Sequence, residues 1–169
     1  MKIKQLSISI LAIALLGVSC NNDNDDEIIL PTGDYANGIL VSNEGPFNNG
    51  SGTVTFISED LATQEDAIYK KVNGEDLGNV VQSIGFDENS AYIIANVSHT
   101  VTVVNRYTFE KIKVISDGLE NPRFFAAVNG KGYVTDWGDP NDSSDDYVAV
   151  IDLATNTVLS TISVSFGPE

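Results

Sequence analysis

One short stretch of this sequence recurs three times at a fixed interval. Thr53-Val54-Thr55-Phe56-Ile57-Ser58, Thr100-Val101-Thr102-Val103-Val104-Asn105 and Tyr147-Val148-Ala149-Val150-Ile151-Asp152 begin 47 residues apart each time. Each alternates, then closes on a paired apolar step and a small polar residue, the pattern of a strand buried in a stacked sheet and ended by a turn. A second β-rich run follows each one across a polar turn: Ala67 to Val72, Phe109 to Ile115 and Thr157 to Val164. An apolar strand precedes each: Gly38 to Ser42, Ala91 to Asn96 and Gly132 to Trp137. Ahead of the last two lie Val81 to Phe86 and Arg123 to Val128.

Four antiparallel strands in a unit of about 40 to 50 residues is the arithmetic of a β-propeller blade. A sandwich of short strands would explain the alternation, but not a strand returning at one spacing with matching positions. The expected fold is therefore all-β, with about three four-stranded antiparallel blades at roughly 38–80, 81–121 and 122–166. The innermost strand of a blade comes first, so the first blade lacks its inner strand. Ser165-Phe166-Gly167-Pro168-Glu169 resembles the start of a further inner strand, as Asn121-Pro122-Arg123 does one repeat earlier. No window of useful length shows helical period beyond the N-terminal stretch.

That stretch reads as an export signal. Lys2 and Lys4 form a positive start, and Leu6 to Val18 is apolar except at Ser7, Ser9 and Gly17. It is short of the roughly 20 residues a permanent span requires. An abrupt polar run follows Cys20, from Asn21 to Glu27. A cysteine at such a junction resembles a bacterial lipoprotein box, and an acidic run after it resembles the surface-export tag of Bacteroidetes lipoproteins. The resemblance implies a signal peptide over 1–19, lipidation of Cys20, an acidic tether over 20–37, and an outer-membrane protein exposed at the cell surface. Gly17 stands where leucine is usual, with Leu16 beside it. An ordinary secretory signal with a spare thiol is the plainer alternative.

Charge narrows the partners. The chain carries 24 acidic and 9 basic side chains, for a net charge of −15. Cleavage before Cys20 removes two lysines and no acid, which leaves −17. Such a body does not track a phosphate backbone, so nucleic acid is excluded as a partner. It also repels anionic lipid, so membrane attachment would rest on acyl-chain burial, with more than one chain for a stable anchor. One cysteine and one histidine exclude an internal disulfide framework and the multi-cysteine or histidine-rich metal centres.

The last repeat carries a family resemblance. Pro122, then Gly130-Lys131-Gly132-Tyr133-Val134-Thr135, then Val148-Ala149-Val150-Ile151-Asp152-Leu153-Ala154-Thr155-Asn156-Thr157-Val158, is similar to the repeat of YVTN-type β-propellers. The middle repeat matches in part, with Asn105 in place of the aspartate, and the first only weakly. Gly38-Ile39-Leu40-Val41-Ser42-Asn43-Glu44-Gly45 resembles the opening of the BtuG-like group of Bacteroidetes surface lipoproteins. That resemblance implies part of a seven-bladed propeller that captures a corrinoid, cobalamin above all, for a TonB-dependent transporter.

In a propeller the loops that join the fourth strand to the next inner strand, and the second strand to the third, share the ligand-binding face. Gln82 and Arg123 fall just inside the inner strands, facing the central mouth, and Asn43, Glu44, Asn96, Asp136 and Trp137 fall around its rim. An aromatic face with amides and carboxylates suits a large, amide-rich ligand. The plainer readings are that Trp137 packs between blades, that Arg123 pairs with one of the many carboxylates, and that Glu44 is a solvated loop acid. Asp139, Asn141, Ser143 and Asp145 reproduce the first half of an EF-hand spacing, which suits calcium. The second half fails at Ser144 and Val150, and a solvated hairpin loop is the alternative.

Catalysis has little support. Ser98 and His99 are adjacent and point to opposite faces of a strand, and no nucleophile elbow, histidine-glutamate metal motif or phosphate loop is present. The expected protein is thus a non-enzymatic, small-molecule-binding propeller without a cofactor. A calcium-dependent propeller hydrolase or lactonase, and an adhesion or scaffold propeller binding glycan or protein, stay open as alternatives. About 132 residues remain from Gly38 onward, enough for three units of about 45 and short of the roughly four to eight blades of a closed propeller. The expectation is therefore the N-terminal part of a longer propeller, marginal or oligomeric by itself.

Overall fold

The computed structural model describes residues 32–47 and 49–169. The signal peptide, Cys20 and most of the tether lie outside the described residues. Among the described residues, eleven strands and one short helix follow in chain order. The strands form three antiparallel sheets. The first contains β1 (Gly38–Asn43), β2 (Thr53–Ser58) and β3 (Gln64–Glu65). The second runs β4 (Val81–Asp87), β5 (Ser90–Ala95), β6 (Thr100–Asn105) and β7 (Lys111–Ile115), and the third β8 (Pro122–Val128), β9 (Lys131–Asp136), β10 (Tyr147–Asp152) and β11 (Thr157–Ser163). Within each sheet the strands neighbour one another in sequence order, as the blades of a β-propeller do. The three recurring segments are β2, β6 and β10, each third in its unit counted from the inner position.

Alternation in the strands becomes burial between the sheets. Val101 and Val103 of β6 face the third sheet, whereas Val104 faces the first, and all three are fully buried. Two cores result. One joins Val54 and Phe56 to Ala91, Ile93 and Val104, and the other joins Tyr92, Ile94 and Val101 to Val134, Ala149 and Ile151. The rings of Tyr92 and Phe125 stack across the second contact, with centroids 4.1 Å apart and planes 8° from parallel. Glycine makes room for this ring: a Cβ on Gly85 would lie 2.4 Å from Phe125, and one on Gly132 2.6 Å from it.

The first sheet departs from expectation at its outer edge. Its outer strand is only Gln64–Glu65, and the run from Ala67 to Val72, expected as a strand, is mostly the helix α1 (Ile68–Asn73). Ile68 and Tyr69 are adjacent and both buried, which a strand facing one core cannot provide. The helix turns both inward, beginning after Ala67 (φ 52°) and ending at Gly74 (φ 74°), whose N–H donates to the Lys70 carbonyl at 2.8 Å. Asn73 then ties it to the second sheet. Its Nδ2 donates to the Phe109 carbonyl and its Oδ1 accepts from the Lys111 N–H, both at 2.9 Å. The Tyr69 hydroxyl donates to Glu75 at 2.5 Å, and burial together with that carboxylate raises its phenol pKa.

Candidate functional site

Strand register places the candidate residues in two sets. Gln82, Arg123 and Glu169 hold the same place at the start of successive inner segments. They are bonded side by side: Arg123 Nη1 donates to Gln82 Oε1 at 3.0 Å and Nη2 pairs with Glu169 Oε1 at 2.9 Å. The guanidinium also lies over the Trp137 ring, 3.9 Å from its centroid. Arg123 is thus clamped between an amide, a carboxylate and an indole, and its buried Nε has no partner. Its charge is largely answered within the chain, in line with the plainer reading of this residue.

The second set, Glu44, Asn96 and Trp137, follows the second strand of each unit. Asn96 is buried and acts as a latch between sheets: its Nδ2 donates to the Asn121 side chain and, at 3.0 Å, to the Pro122 carbonyl. Trp137 repeats that contact one unit later, its Nε1 donating to the Pro168 carbonyl at 3.0 Å. Glu44 is exposed, and its backbone carbonyl accepts from the Val81 N–H. Asn43 points its Nδ2 to Thr55 Oγ1 at 2.8 Å and Thr53 Oγ1 at 3.2 Å, along its own sheet. Asn43 and Asn96 therefore spend their amides on the fold.

Asp136, expected at the rim, is instead wholly buried. Its carboxylate accepts from the backbone N–H groups of Asn121 at 2.7 Å, Glu120 at 3.0 Å and Gly138 at 3.0 Å. With its two oxygens the carboxylate satisfies three backbone donors that would otherwise lack a partner. Here it sets the loop ahead of β8 and the turn after β9, so it shapes the site without facing a ligand. Burial, then the Asp136 charge, raises the pKa of the neighbouring Tyr147 phenol.

These constraints leave a cleft of about 400 Å³ on the loop face. Half-buried Trp137 lines it with Gly138, Pro140, Val97, His99, Glu120 and Asn121, as does Phe47, which is 71% exposed. Of the sequence-predicted residues, Arg123, Asn96 and Trp137 meet here, whereas Asn43, Glu44 and Gln82 do not line it. Phe47, His99 and Glu120 were not expected from the sequence. Phe47 carried a signal all the same, as the one large apolar residue in a polar loop assigned to this face. His99 has φ 57° and bonds the Glu120 carbonyl through Nδ1, while Ser98 Oγ accepts from the Asn79 N–H at 2.7 Å. The two neighbours are engaged separately.

The acidic loop is turned on itself. Asp139 Oδ1 accepts from both the N–H and the Nδ2 of Asn141 at 2.9 Å, Asp142 Oδ1 accepts from the Ser144 N–H and hydroxyl, and Asp145 Oδ2 accepts from the Asp139 N–H. Those bonds hold the Asp139 and Asp142 carboxyls below the usual carboxylate range. Among the described residues no three His, Cys, Asp or Glu side chains converge as metal ligands. The loop between β9 and β10 that carries Asp139, Asn141, Ser143 and Asp145 is held by hydrogen bonds among its own residues.

No curated protein matches the chain. Among solved structures, Kuenenia stuttgartiensis hydrazine synthase superposes on 79% of this chain and 36% of its own, with a TM-score of 0.60 and 13% identity. A chain of the nidogen/laminin complex superposes on 81% of this chain and 45% of its own, with a TM-score of 0.55 and 18% identity. This chain therefore spans less than half the length of either. At such identities the likeness speaks for the fold, and that fold is the β-propeller. The family described as "Domain of unknown function (DUF5074)" matches residues 37–167, all three sheets, and the chain belongs to it.

Proposed function

We propose that this protein is a non-enzymatic, lipid-anchored propeller module of the outer-membrane surface. It binds a small molecule in the Trp137 cleft, with a corrinoid as first candidate, and hands it to a TonB-dependent transporter. The observation that carries the binding role is the cleft itself. Its volume falls in the range of small-molecule sites, and it combines two aromatic rings with a few fixed polar groups. The Trp137 ring is held by the Arg123 guanidinium and the bond from its Nε1 to Pro168, so little rotamer freedom is lost when a ligand stacks on it. The Asn121 Nδ2, whose amide oxygen is already engaged by Asn96, and the Glu120 carboxylate offer a donor and an acceptor for amide hydrogen bonds. A corrinoid is wider than the cleft, which would take one amide-bearing edge of the ring and leave the rest to the loop face. The transporter and the anchor rest on the resemblances of the N-terminal segment and of Gly38 to Gly45.

Calorimetric titration of cyanocobalamin into the purified protein tests this reading. Binding heat is expected, and Trp137→Ala or Phe47→Ala should weaken it at least about tenfold, as for an aromatic anchor of a binding site. No heat at high micromolar ligand would sink the corrinoid assignment. Equal affinity in the Trp137→Ala protein would sink the cleft as the site.

A further inference from the structure

His99 is the only histidine of the chain, and it lines the Trp137 cleft while remaining exposed. It ends the turn between β5 and β6, where its N–H donates to the Asn96 carbonyl at 3.0 Å and its backbone stands at φ 57°. Glycine would sit there without strain, so the turn by itself does not call for an imidazole. The ring is oriented from the loop ahead of β8, because its Nδ1 bonds the Glu120 carbonyl. A carbonyl oxygen only accepts. Nδ1 therefore carries the hydrogen, and Nε2 of the neutral ring keeps its lone pair. Among the described residues Nε2 has no partner. An imidazole held by a carbonyl at one nitrogen and open at the other is the arrangement that metal-binding histidines adopt.

The surroundings decide what kind of metal fits. A bare ion needs roughly three or four protein donors, and among the described residues no three His, Cys, Asp or Glu side chains converge. A metal that arrives chelated inside a flat macrocycle needs only one more donor, and Trp137 and Phe47 supply the aromatic surface for the macrocycle itself. We propose that His99 Nε2 is an axial ligand to the cobalt of a corrinoid bound in this cleft. The inference rests on the corrinoid reading given above and adds a coordinate bond to it. The step is an exchange at Co(III): the Co–O bond to axial water breaks, the Nε2 lone pair forms a Co–N bond, and water leaves with its own electron pair. No electron changes centre. The position of His99 agrees with a ring held by one edge, since the metal then stays outside the depth of the cleft, where an exposed imidazole meets it. Coordination would also make the site selective, favouring corrinoids whose axial position is exchangeable over those in which it is firmly occupied.

Titrating the full, untagged chain with aquocobalamin and with cyanocobalamin tests this, because water leaves cobalt readily and cyanide does not. Visible absorption and calorimetry are read together. The bands of aquocobalamin should shift on binding as imidazole replaces water, those of cyanocobalamin should not, and aquocobalamin should bind at least about tenfold more tightly. His99→Asn, whose side chain tolerates the left-handed turn, should lose the shift and bring the two cobalamins to equal affinity. Circular dichroism checks that this variant folds. If it does not, carbethoxylation of His99 in the folded wild type, which has no other imidazole, replaces it. Binding of both cobalamins with equal affinity and no shift would overturn the coordination and leave the corrinoid reading standing, and so would a shift that survives the loss of His99. No heat from either cobalamin would sink that reading and this inference with it.

Discussion

Asp136 shows how one side chain organises the cleft without lining it. Its three backbone donors belong to the loop before β8 and the turn after β9, the two segments that carry Glu120, Asn121 and Trp137. Asp136→Ala would leave three N–H groups without partners, that of Gly138 buried and those of Glu120 and Asn121 partly buried. Each such group costs about 1–3 kcal/mol, so a loss of about 3–5 kcal/mol is expected by urea unfolding after partial relaxation. Asp136→Asn keeps one acceptor oxygen and should cost less than alanine. A loss under about 1 kcal/mol for alanine would mean that those donors find water. Arg123 makes the complementary point, because its guanidinium is answered by Glu169, Gln82 and Trp137 before any ligand arrives.

Among elements, packing has overridden local pattern in one place and followed it in the others. The alternating strands lie close to their sequence-predicted positions, because a period of two buries one face and needs no further information. Ala67 to Val72 failed as a strand because Ile68 and Tyr69 both find core, and only the tertiary pocket reveals that two adjacent residues are wanted inside. The joint between the second and third sheets rests on the Tyr92–Phe125 stack. Phe125→Ala should cost about 3–5 kcal/mol, and together with Tyr92→Ala the loss should fall short of the sum of the two singles by about 1 kcal/mol. Strict additivity in such a cycle would show that the rings contribute area and nothing specific to each other.

The molecule as a whole folds against its own charge. With a net charge of −15, self-repulsion favours the unfolded chain, and salt relieves it as the screening length falls from about 30 Å at 0.01 M to about 8 Å at 0.15 M. The melting temperature should rise by a few degrees over that range in scanning calorimetry. Calcium and magnesium chlorides at equal ionic strength should raise it alike, since the Asp139 to Asp145 loop spends its oxygens on its own N–H groups. A rise several degrees larger with calcium would show a calcium site there.

The 47-residue recurrence determined the sheets, their order and the face each strand buries, because register and alternation are local properties that repetition makes unmistakable. It also placed Arg123 and Trp137 on the loop face that carries the cleft. Only the tertiary structure decided which polar residues remain available there. Asp136, Asn96 and Asn43 were drawn into backbone and interstrand hydrogen bonds, and Phe47, His99 and Glu120 were brought to the cleft from loops far apart in the chain. A buried donor must find an acceptor wherever the fold brings one, and that demand spans distances no sequence window covers.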